Sequence, residues 1–431
     1  MDISICLLNS RARTFQLQLS GDHQMKQCAL AAMAMSSVLG AATAHAATYA
    51  AAPAAYYVSP KGSDLNNGLS LQTAFKTFEK ARASMVGNPG IKTTYLKGGI
   101  YPRTATLNLS QDDNGETWRN YPGQVPVVDG GGTTTVGLFL SGSSNVTIYG
   151  ITFQNFAQSA LQTHNTTGVA IQNNTILNTR STAWVQAGIN AVGTFQNGVI
   201  QHNLVANSNY NGISIATDMT AVMSGTVISD NIVLNACRVV SDCGGIYVED
   251  PAERSSNVAI THNLVGNFGS PTNNTHGIYL DNSASGVQVT DNIVYGTGSL
   301  GFIVHGGHAN VIKNNIFDIS GQQNLALYQQ NGADNMQGNV FKCNIIYTSV
   351  KPPVSLWLNI GNVMAPKDVK NVYWSATGSM PNLGITDAQP VTANPAFANP
   401  TAGNYSIGAG LPAPACFTAF AMTTFGPQPG I

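Results

Sequence analysis

Ile171-Gln-Asn-Asn174 is one copy of a short phrase, an apolar residue followed by two variable positions and an asparagine, that recurs along this chain. Successive asparagines of the phrase are 23 to 32 residues apart, which is too irregular for a repeat of paired helices. The phrase therefore marks a repeat architecture of another kind. Its other copies are Ile200-Gln-His-Asn203, Ile228-Ser-Asp-Asn231, Ile260-Thr-His-Asn263, Val289-Thr-Asp-Asn292, Ile312-Lys-Asn-Asn315 and Phe341-Lys-Cys-Asn344.

Each phrase is typical of a short β-strand. Apolar and polar residues alternate in it, Val, Ile and Thr are frequent, and Gly and Asn separate it from the next phrase. One such repeat cannot bury its apolar side alone, so successive coils must stack and share a core. The sequence thus predicts an all-β fold, a single-stranded right-handed parallel β-helix, in which equivalent strands lie about 4.8 Å apart.

The asparagine of each phrase is expected to have a structural role. When coils stack, equivalent side chains lie above one another, and each amide can hydrogen-bond to the next. Such bonds satisfy a turn whose backbone groups would otherwise be left unpaired. We assign this role to Asn174, Asn203, Asn231, Asn263, Asn292 and Asn315.

The two open ends of a solenoid expose strand edges that need covering. A helical stretch from Ala74 to Val86 is predicted to be a short N-terminal capping helix. The segment after Pro395 is expected to cover the other end. The apolar face of the helix would be formed by Phe75, Phe78 and Ala81.

The N-terminal part of the chain is expected to lie outside the folded domain. A signal peptide is predicted at Met25–Ala46, because a basic start and an apolar run too short to span a bilayer precede Ala44-His45-Ala46. Residues 1–24 would be an upstream extension, residues 47–55 a flexible lead-in, and residues 56–431 one β-helix domain that includes both caps. The predicted location is secreted or periplasmic, with no membrane attachment after cleavage.

Composition limits the partners. Charged residues make up 9% of the chain and the formal net charge is −1, which argues against nucleic acid and against a strongly polyanionic ligand. Of the cysteines beyond Ala46, the close pair Cys237 and Cys243 can form a disulfide in an exported chain. No spacing of cysteine and histidine indicates a metal site, so no cofactor is expected. The chain is expected to be a monomer.

A second repeat lies upstream of the asparagine phrases. When its copies are aligned on their glycine, the second and fourth residues are apolar and are predicted to point inward, so the third and fifth point outward. The copies are Gly212-Ile-Ser-Ile-Ala216, Gly245-Ile-Tyr-Val-Glu249, Gly277-Ile-Tyr-Leu-Asp281, Gly301-Phe-Ile-Val-His305 and, less regular, Asn324-Leu-Ala-Leu-Tyr328.

This alignment brings five functional side chains to one outer face, Tyr247, Glu249, Tyr279, Asp281 and His305. Tyrosine rings suit the apolar faces of sugars, and adjacent carboxylates raise each other's proton affinity, as a general acid requires. Like charges on neighbouring rungs would destabilise a plain surface ladder, which favours function for the two acids.

Other interpretations of these residues stay open. Outward tyrosines can serve only in lateral packing, and a histidine ahead of Gly306-Gly307 can be a turn residue. Asp242 lies just before its coil's paired glycines and Asp250 just after Glu249, so both are expected to reach the same cleft.

With these motifs the chain resembles secreted bacterial proteins with right-handed β-helix repeats, among them several glycoside hydrolase families and, more distantly, pectate-lyase-like enzymes. The resemblance covers nearly all of the chain after Ala46. The motifs that carry it are Tyr56-Tyr-Val-Ser-Pro-Lys-Gly-Ser-Asp64, Tyr121-Pro-Gly123, Val128-Asp-Gly130, His276-Gly-Ile-Tyr-Leu-Asp-Asn-Ser-Ala-Ser-Gly286, His305-Gly-Gly307, Asn314-Asn-Ile-Phe317 and Asn394-Pro-Ala-Phe397.

The resemblance implies two active-site acids. In similar hydrolases these are the aspartate after Gly-Ile-Tyr-Leu and an aspartate ahead of the preceding Gly-Gly-Ile-Tyr, which correspond to Asp281 and Asp242 here. His276, which opens the motif, joins the expected substrate-binding residues. The chain departs from the pattern at Asn282, where a second acid is common, and in its extra Glu249-Asp250 pair.

Three functions are compatible with these residues. The first is glycoside hydrolysis by Asp281 with either Glu249 or Asp242, where a separation near ~5 Å favours retention of configuration and a wider one favours inversion. The second is a polysaccharide lyase acting on a uronate, which needs a basic residue and usually Ca²⁺. The third is a glycan-binding or adhesin solenoid without catalysis. In each case the partner is a poly- or oligosaccharide.

Overall fold

The structure is a computed structural model that describes residues 54–182, 186–332, 336–352, 356–361, 364, 366–378, 387–407, 411–412 and 415–428. The predicted signal peptide, the upstream extension and the lead-in as far as residue 53 lie outside the described residues. Within the described part, no helix combines the length and the apolar character needed to cross a bilayer.

Three parallel sheets make up the solenoid, and each strand pairs with its equivalent in the next coil. The first sheet contains Tyr56–Val58, Thr93–Leu96, Thr117–Asn120, Thr147–Tyr149, Ala170–Gln172, Val199–Gln201, Val227–Ser229, Ala259–Thr261, Gln288–Thr290, Val311–Lys313, Val340–Lys342 and Lys367–Val369. The second contains Gly99–Pro102, Pro126–Asp129, Thr152–Gln154, Thr175–Leu177, Leu204–Ala206, Ile232–Leu234, Leu264–Gly266, Ile293–Tyr295, Ile316–Asp318, Ile345–Thr348, Val372–Ser375 and Val391–Thr392. The third contains Leu107–Leu109, Val136–Ser141, Ser159–Thr167, Ala187–Gln196, Asn211–Ala216, Cys243–Glu249, Thr275–Asp281, Gly298–His305, Gln322–Gln329 and Trp357–Ile360.

The remaining elements are few. An α-helix spans Phe78–Gly87, and two short 3₁₀ turns span Gln111–Asp113 and Pro400–Ala402. One antiparallel hairpin pairs Phe397–Asn399 with Asn404–Ile407. The predicted all-β parallel solenoid is therefore confirmed.

The core follows from the alternation of residues along the short strands. In the first sheet, from Thr147–Tyr149 to Val340–Lys342, the middle residue of each three-residue strand points inward and stacks on its equivalent in the next coil. Ile171, Ile200, Ile228 and Ile260 are successive members of this stack, and none has any exposed surface. One continuous apolar column thus holds the coils in register.

The predicted asparagine ladder is present. The Asn231 amide nitrogen donates to the Asn263 Oδ1 at 2.9 Å, and Asn263 donates in turn to Asn292 at 2.9 Å. The residue before each asparagine has the left-handed conformation, for example His262 with φ 55°, so the turn aims the amide into the core. The ladder runs from Asn174 through the six predicted asparagines and continues to Asn344 and Asn371.

The helix packs against the first coils as expected of a cap, but it begins four residues later than predicted. Thr77 caps it by accepting a hydrogen bond from the Lys80 backbone nitrogen. Phe78, Ala81 and Met85 are its buried residues. Phe75 is also buried, but it lies before the helix, where its backbone pairs with the first strand.

The segment after Pro395 was expected to cover the far end of the solenoid. Its described contacts lie instead along the flank. The hairpin packs against the second sheet, where the Tyr405 hydroxyl donates to Asp318 at 2.7 Å, and the residues after it run over the turns between the first and second sheets. This strap, residues 415–428, starts at a disulfide between Cys416 and Cys343, which the sequence analysis did not predict. Its later contacts are Thr418 with Asn314, Ala421 with His262, Gly426 with Asp230 and Gln428 with Asn173.

Candidate active site

The glycine-aligned strands of the third sheet lie side by side in the predicted register. Tyr247 pairs with Tyr279 and Glu249 pairs with Asp281, while His305 lies on the next rung, with its ring against Asp281. The intervening apolar residues belong to the core. The single outer strip that the sequence predicts is therefore confirmed, since a period of two in each strand fixes which side chains face outward.

The register predicted for the fifth copy is wrong by one residue. Leu325, not Asn324, takes the place of the glycine, because Tyr328 pairs with Val304 and Gln329 pairs with His305. Tyr328 consequently points into the core and is fully buried. This copy lacks the glycine that marks the register in the others, so the sequence carried no clear signal.

A pocket of about 390 Å³ opens over this strip. Two of the predicted acids, Asp242 and Asp281, line it together with Tyr279 and His305. Glu249 lies beside Asp281 but is not part of the lining. The remaining lining residues, which sequence reasoning did not select, are Ser241, Asn274, Asn282, Ile303 and Gln329.

Asp281 is the centre of the hydrogen-bond network. Its Oδ1 lies 2.6 Å from the His305 Nδ1 and accepts the Asn282 backbone N–H at 2.7 Å, while its Oδ2 accepts from the Tyr247 hydroxyl at 2.7 Å. Hydrogen bonds from donors favour the charged form of a carboxyl group. The bond to Asp281, together with the negative charges of Asp281 and Asp242, raises the pKa of His305 although burial opposes it.

Asp242 has a different environment. It accepts hydrogen bonds from the Tyr279 hydroxyl at 3.1 Å and from the Asn274 amide at 3.2 Å. Burial raises the pKa of Asp242, and the negative charge of Asp281 raises it further. Asp242 therefore retains its proton to higher pH than an exposed aspartate does.

A small loop holds Asp242 in place. Cys237 and Cys243 form a disulfide across it, as the sequence allowed, and the Tyr210 hydroxyl donates to the Asp242 backbone carbonyl at 3.0 Å. Asp242 itself has the left-handed conformation, with φ 55°. The acid is thus positioned by a constrained loop, whereas Asp281 is positioned by a strand.

Glu249 contacts the centre through Tyr247. The Tyr247 hydroxyl lies within hydrogen-bond distance of both Glu249 and Asp281, yet a phenol has a single proton to donate. If it donates to Asp281, then Glu249 must supply the proton for the other contact. Burial raises the pKa of Glu249, and the charge of Asp281 adds to this, so a protonated Glu249 fits the geometry.

The tyrosines differ from their expected role. Tyr247 and Tyr279 point away from the core, but they are 1% and 3% exposed and pack edge to face against each other. Tyr247 therefore offers no ring face to a sugar. Both phenols instead use their hydroxyls to hold carboxyl groups.

Two other predicted binding residues are not in the pocket. His276 is fully buried against the Tyr279 ring, and burial lowers its pKa to about 3. Asp250 turns away and forms an ion pair with Arg254 at 3.0 Å. Among the described residues, no group of three or more His, Cys, Asp and Glu side chains is arranged to hold a metal ion.

The comparisons with known proteins agree with the fold. A family model described as "Right handed beta helix region" matches residues 66–228, whereas no curated protein shows significant sequence similarity to the chain. The chain therefore has the right-handed parallel β-helix fold.

Three solved structures illustrate the similarity. Pectate lyase Pel9A is 16% identical, over 86% of this chain and 90% of that one, with a TM-score of 0.54. XylC in complex with xylose is 12% identical, over 80% of this chain and 87% of that one, with a TM-score of 0.50. A protein described as a glycoside hydrolase is 9% identical, over 75% and 96%, with a TM-score of 0.52. At such identities the likeness shows the fold alone.

Proposed function

We propose that the protein is a glycoside hydrolase that cleaves a glycosidic bond with Asp242 and Asp281. One observation carries the proposal. The two carboxyl groups line the same open pocket. Burial and the charge of Asp281 raise the pKa of Asp242, while Asp281 accepts hydrogen bonds from the Tyr247 hydroxyl and the Asn282 backbone N–H. Glycosidases need such a pair, one carboxylic acid and one carboxylate, on either side of the bond that breaks.

Asp242 is assigned as the general acid. Its raised pKa, caused by burial and by the charge of Asp281, keeps it protonated where an exposed aspartate would be ionised. Its proton would pass to the glycosidic oxygen as the bond between that oxygen and the anomeric carbon breaks.

Asp281 is assigned as the carboxylate that acts at the anomeric carbon. Its oxygens accept hydrogen bonds from the Tyr247 hydroxyl and from the Asn282 backbone N–H, which fix the position of the carboxyl group beside the pocket. Direct attack would form a covalent glycosyl-enzyme, which water then hydrolyses with retention of configuration. Deprotonation of an attacking water would instead give inversion.

Glu249 is assigned a positioning role, which narrows the choice of catalytic pair that the sequence left open. It lies outside the pocket lining. It is linked to Asp281 through the Tyr247 hydroxyl and through Asn282, whose side-chain amide donates to the Glu249 Oε2 at 3.3 Å. A protonated Glu249 would keep the phenol proton directed at Asp281.

The structural neighbours support a saccharide ligand. One was solved with xylose, one is a pectate lyase and one is a glycoside hydrolase. With this fold we also propose secretion after cleavage at Ala46 and a monomeric state. N-terminal sequencing of the exported protein, with light scattering of the purified sample, would check both.

The experiment is a screen of the purified protein on plant, algal and bacterial glycans, followed by the variants Asp242→Asn, Asp281→Asn and Glu249→Gln. General acid–base catalysis typically contributes about 10²–10⁴-fold in rate, so we expect a loss of about that size for Asp242→Asn. The loss for Asp281→Asn should be at least as large, because removal of a nucleophile can cost more. Asp112→Asn removes an exposed carboxyl group on the helical turn Gln111–Asp113 and is the matched control.

The products separate hydrolysis from the other functions. A reducing sugar whose anomeric configuration is followed by NMR would support the proposal and assign retention or inversion. An unsaturated, ultraviolet-absorbing product formed with Ca²⁺ from pectin or alginate would replace it with a lyase. Among described lining residues the pocket has no lysine or arginine to act as the base of a lyase. Glycan binding that persists in Asp281→Asn, with no product from the parent, would indicate an adhesin.

A further inference from the structure

A second pocket, of about 370 Å³, lies nearer the N-terminal end of the described solenoid, at the turns between the first and second sheets and beside Pro427 and Gln428 of the strap. It is built on a ladder of planar side chains, because Tyr57, Tyr95, Arg119 and Tyr149 pair on four consecutive rungs. Arg119 and Tyr149 line the pocket. Neither residue belongs to the repeats from which the sequence predicted function.

Arg119 has no partner for its charge. Its guanidinium lies over the Tyr149 ring at 4.8 Å and over the Tyr95 ring at 5.8 Å. Its Nε is buried without an acceptor, and in the described part of the chain no carboxylate lies within ion-pair distance of it. A buried donor without an acceptor costs about 1–3 kcal/mol, so such a group in a native fold calls for a ligand or an ordered water.

The lining around Arg119 mixes apolar and neutral polar groups and contains no acidic side chain. Asn120, Gln124 and Gln428 contribute carboxamides, and exposed Val125 contributes an apolar wall. Carboxamides match the mixed donors and acceptors of sugar hydroxyls. The site therefore combines a planar cation with neutral hydrogen-bonding groups.

We propose that this pocket is a second saccharide-binding site, which takes an acidic sugar by pairing its carboxylate with Arg119. The planar guanidinium can hold a carboxylate through two parallel hydrogen bonds, and stacking between Tyr95 and Tyr149 fixes its orientation. The pocket has no carboxyl group of its own, so it would bind a glycan without cleaving it. A single arginine suits one carboxylate at a time, in keeping with the low overall charge of the chain.

The test is calorimetric titration of the full protein, as the Asp281→Asn variant to prevent turnover, with trigalacturonate and with its methyl triester. The triester replaces each carboxylate by a neutral methyl ester, so it lacks the negative charges and carries three additional methyl groups. We expect the acid to bind at least tenfold more tightly than the ester, with an affinity that falls as salt is added. Arg119→Gln should remove that preference and leave ester binding unchanged. Arg180→Gln, which removes the charge of an exposed arginine, is the control.

The effects of Arg119→Gln and of methyl esterification of the ligand on the binding free energy should not be additive, because each change alone already breaks the pair between Arg119 and the sugar carboxylate. Equal binding of acid and ester, or an unchanged preference in Arg119→Gln, would overturn the proposal. Competition by inorganic sulfate as strong as by trigalacturonate would show an anion site without saccharide selectivity, which also overturns it. A change of oligomeric state in Arg119→Gln would show that the pocket is an interface between copies of the chain, and this would also overturn the proposal. Because binding is measured without turnover, the outcome does not depend on the hydrolase proposal.

Discussion

At the level of single residues, the Tyr247 hydroxyl has one proton and two carboxyl neighbours. If Glu249 carries the second proton, Glu249→Gln preserves the hydrogen bonds, because an amide N–H can donate to the phenol as the acid does. We expect kcat/KM of Glu249→Gln to stay within tenfold of the wild-type value, and Glu249→Ala to lose more. A loss in Glu249→Gln as large as in Asp281→Asn would show that Glu249 is catalytic.

The His305 pair gives a prediction for stability against pH. The pKa of His305 is raised above the unfolded value of about 6.5, mainly by its hydrogen bond to Asp281. A raised pKa stabilises the fold fully below the unfolded pKa, and this contribution is lost as the pH rises through the folded pKa. Wild type should therefore exceed His305→Gln in Tm most clearly near pH 5.5, and the difference should shrink toward pH 9. A difference independent of pH would contradict the pairing.

At the level of the repeated turn, the asparagine ladder is a chain of buried amides. Asn263 donates to Asn292 and to the Ile228 carbonyl, and it accepts from Asn231. Asn263→Asp keeps the shape of the side chain but replaces the donating amide nitrogen by an oxygen. The buried acceptors Asn292 Oδ1 and the Ile228 carbonyl then lose their hydrogen-bond donor. Unmade buried bonds cost about 1–3 kcal/mol each, and we expect a loss of at least 2 kcal/mol in urea unfolding. Asn257→Asp, at an exposed turn with the same positive φ, should change stability by less than about 0.5 kcal/mol.

The far end of the ladder holds two buried acids, Asp368 and Asp387, which share the Tyr373 hydroxyl. Burial and the charge of Asp387 raise the pKa of Asp368 to about 8, whereas an unfolded aspartate titrates near ~3.9. The folded chain thus keeps a proton that the unfolded chain releases, so stability falls as the pH rises from about 4 to about 8. Asp368→Asn should gain on wild type over this range. A difference in denaturant midpoint between Asp368→Asn and wild type that is the same at pH 5 and at pH 8 would refute this prediction.

At the level of the whole molecule, the two disulfides should have separable effects. Cys343–Cys416 spans 73 residues and Cys237–Cys243 spans 6, for which closure entropy predicts about 4 and about 2 kcal/mol respectively. Replacement of both Cys343 and Cys416 by serine should therefore lower the free energy of unfolding more than replacement of Cys237 and Cys243. Replacement of both Cys237 and Cys243 by serine should reduce activity more than the change at Cys343 and Cys416, because the loop that this disulfide closes carries Asp242. The opposite pattern in unfolding and activity assays would argue against the assigned role of the loop.

The features of the solenoid that repeat from coil to coil could be predicted from the sequence. The repeated Asn turns and the alternating strands are local patterns, and a period of two leaves one choice of face. Stacking of coils then follows from the need to bury that face. For this reason the solenoid, the amide ladder and the outer strip with Glu249, Asp281 and His305 could all be predicted.

The surroundings of that strip come from segments without a repeat. Asp242 reaches the pocket on a disulfide-closed loop, whereas Asp250, adjacent to Glu249, turns away to Arg254. The depth at which Tyr247 is covered depends on neighbouring packing, which no period in the sequence encodes.

The sequence by itself therefore determined the coil, the register of the glycine-marked copies and the face that carries the acids, because each depends on neighbours close in the chain or on exact repetition. Only the tertiary structure decided which acids share a pocket, where the C-terminal strap lies and that Arg119 has no counter-charge. These features depend on contacts between segments far apart, such as Asn173 with Gln428, and nothing in either segment alone specifies its partner.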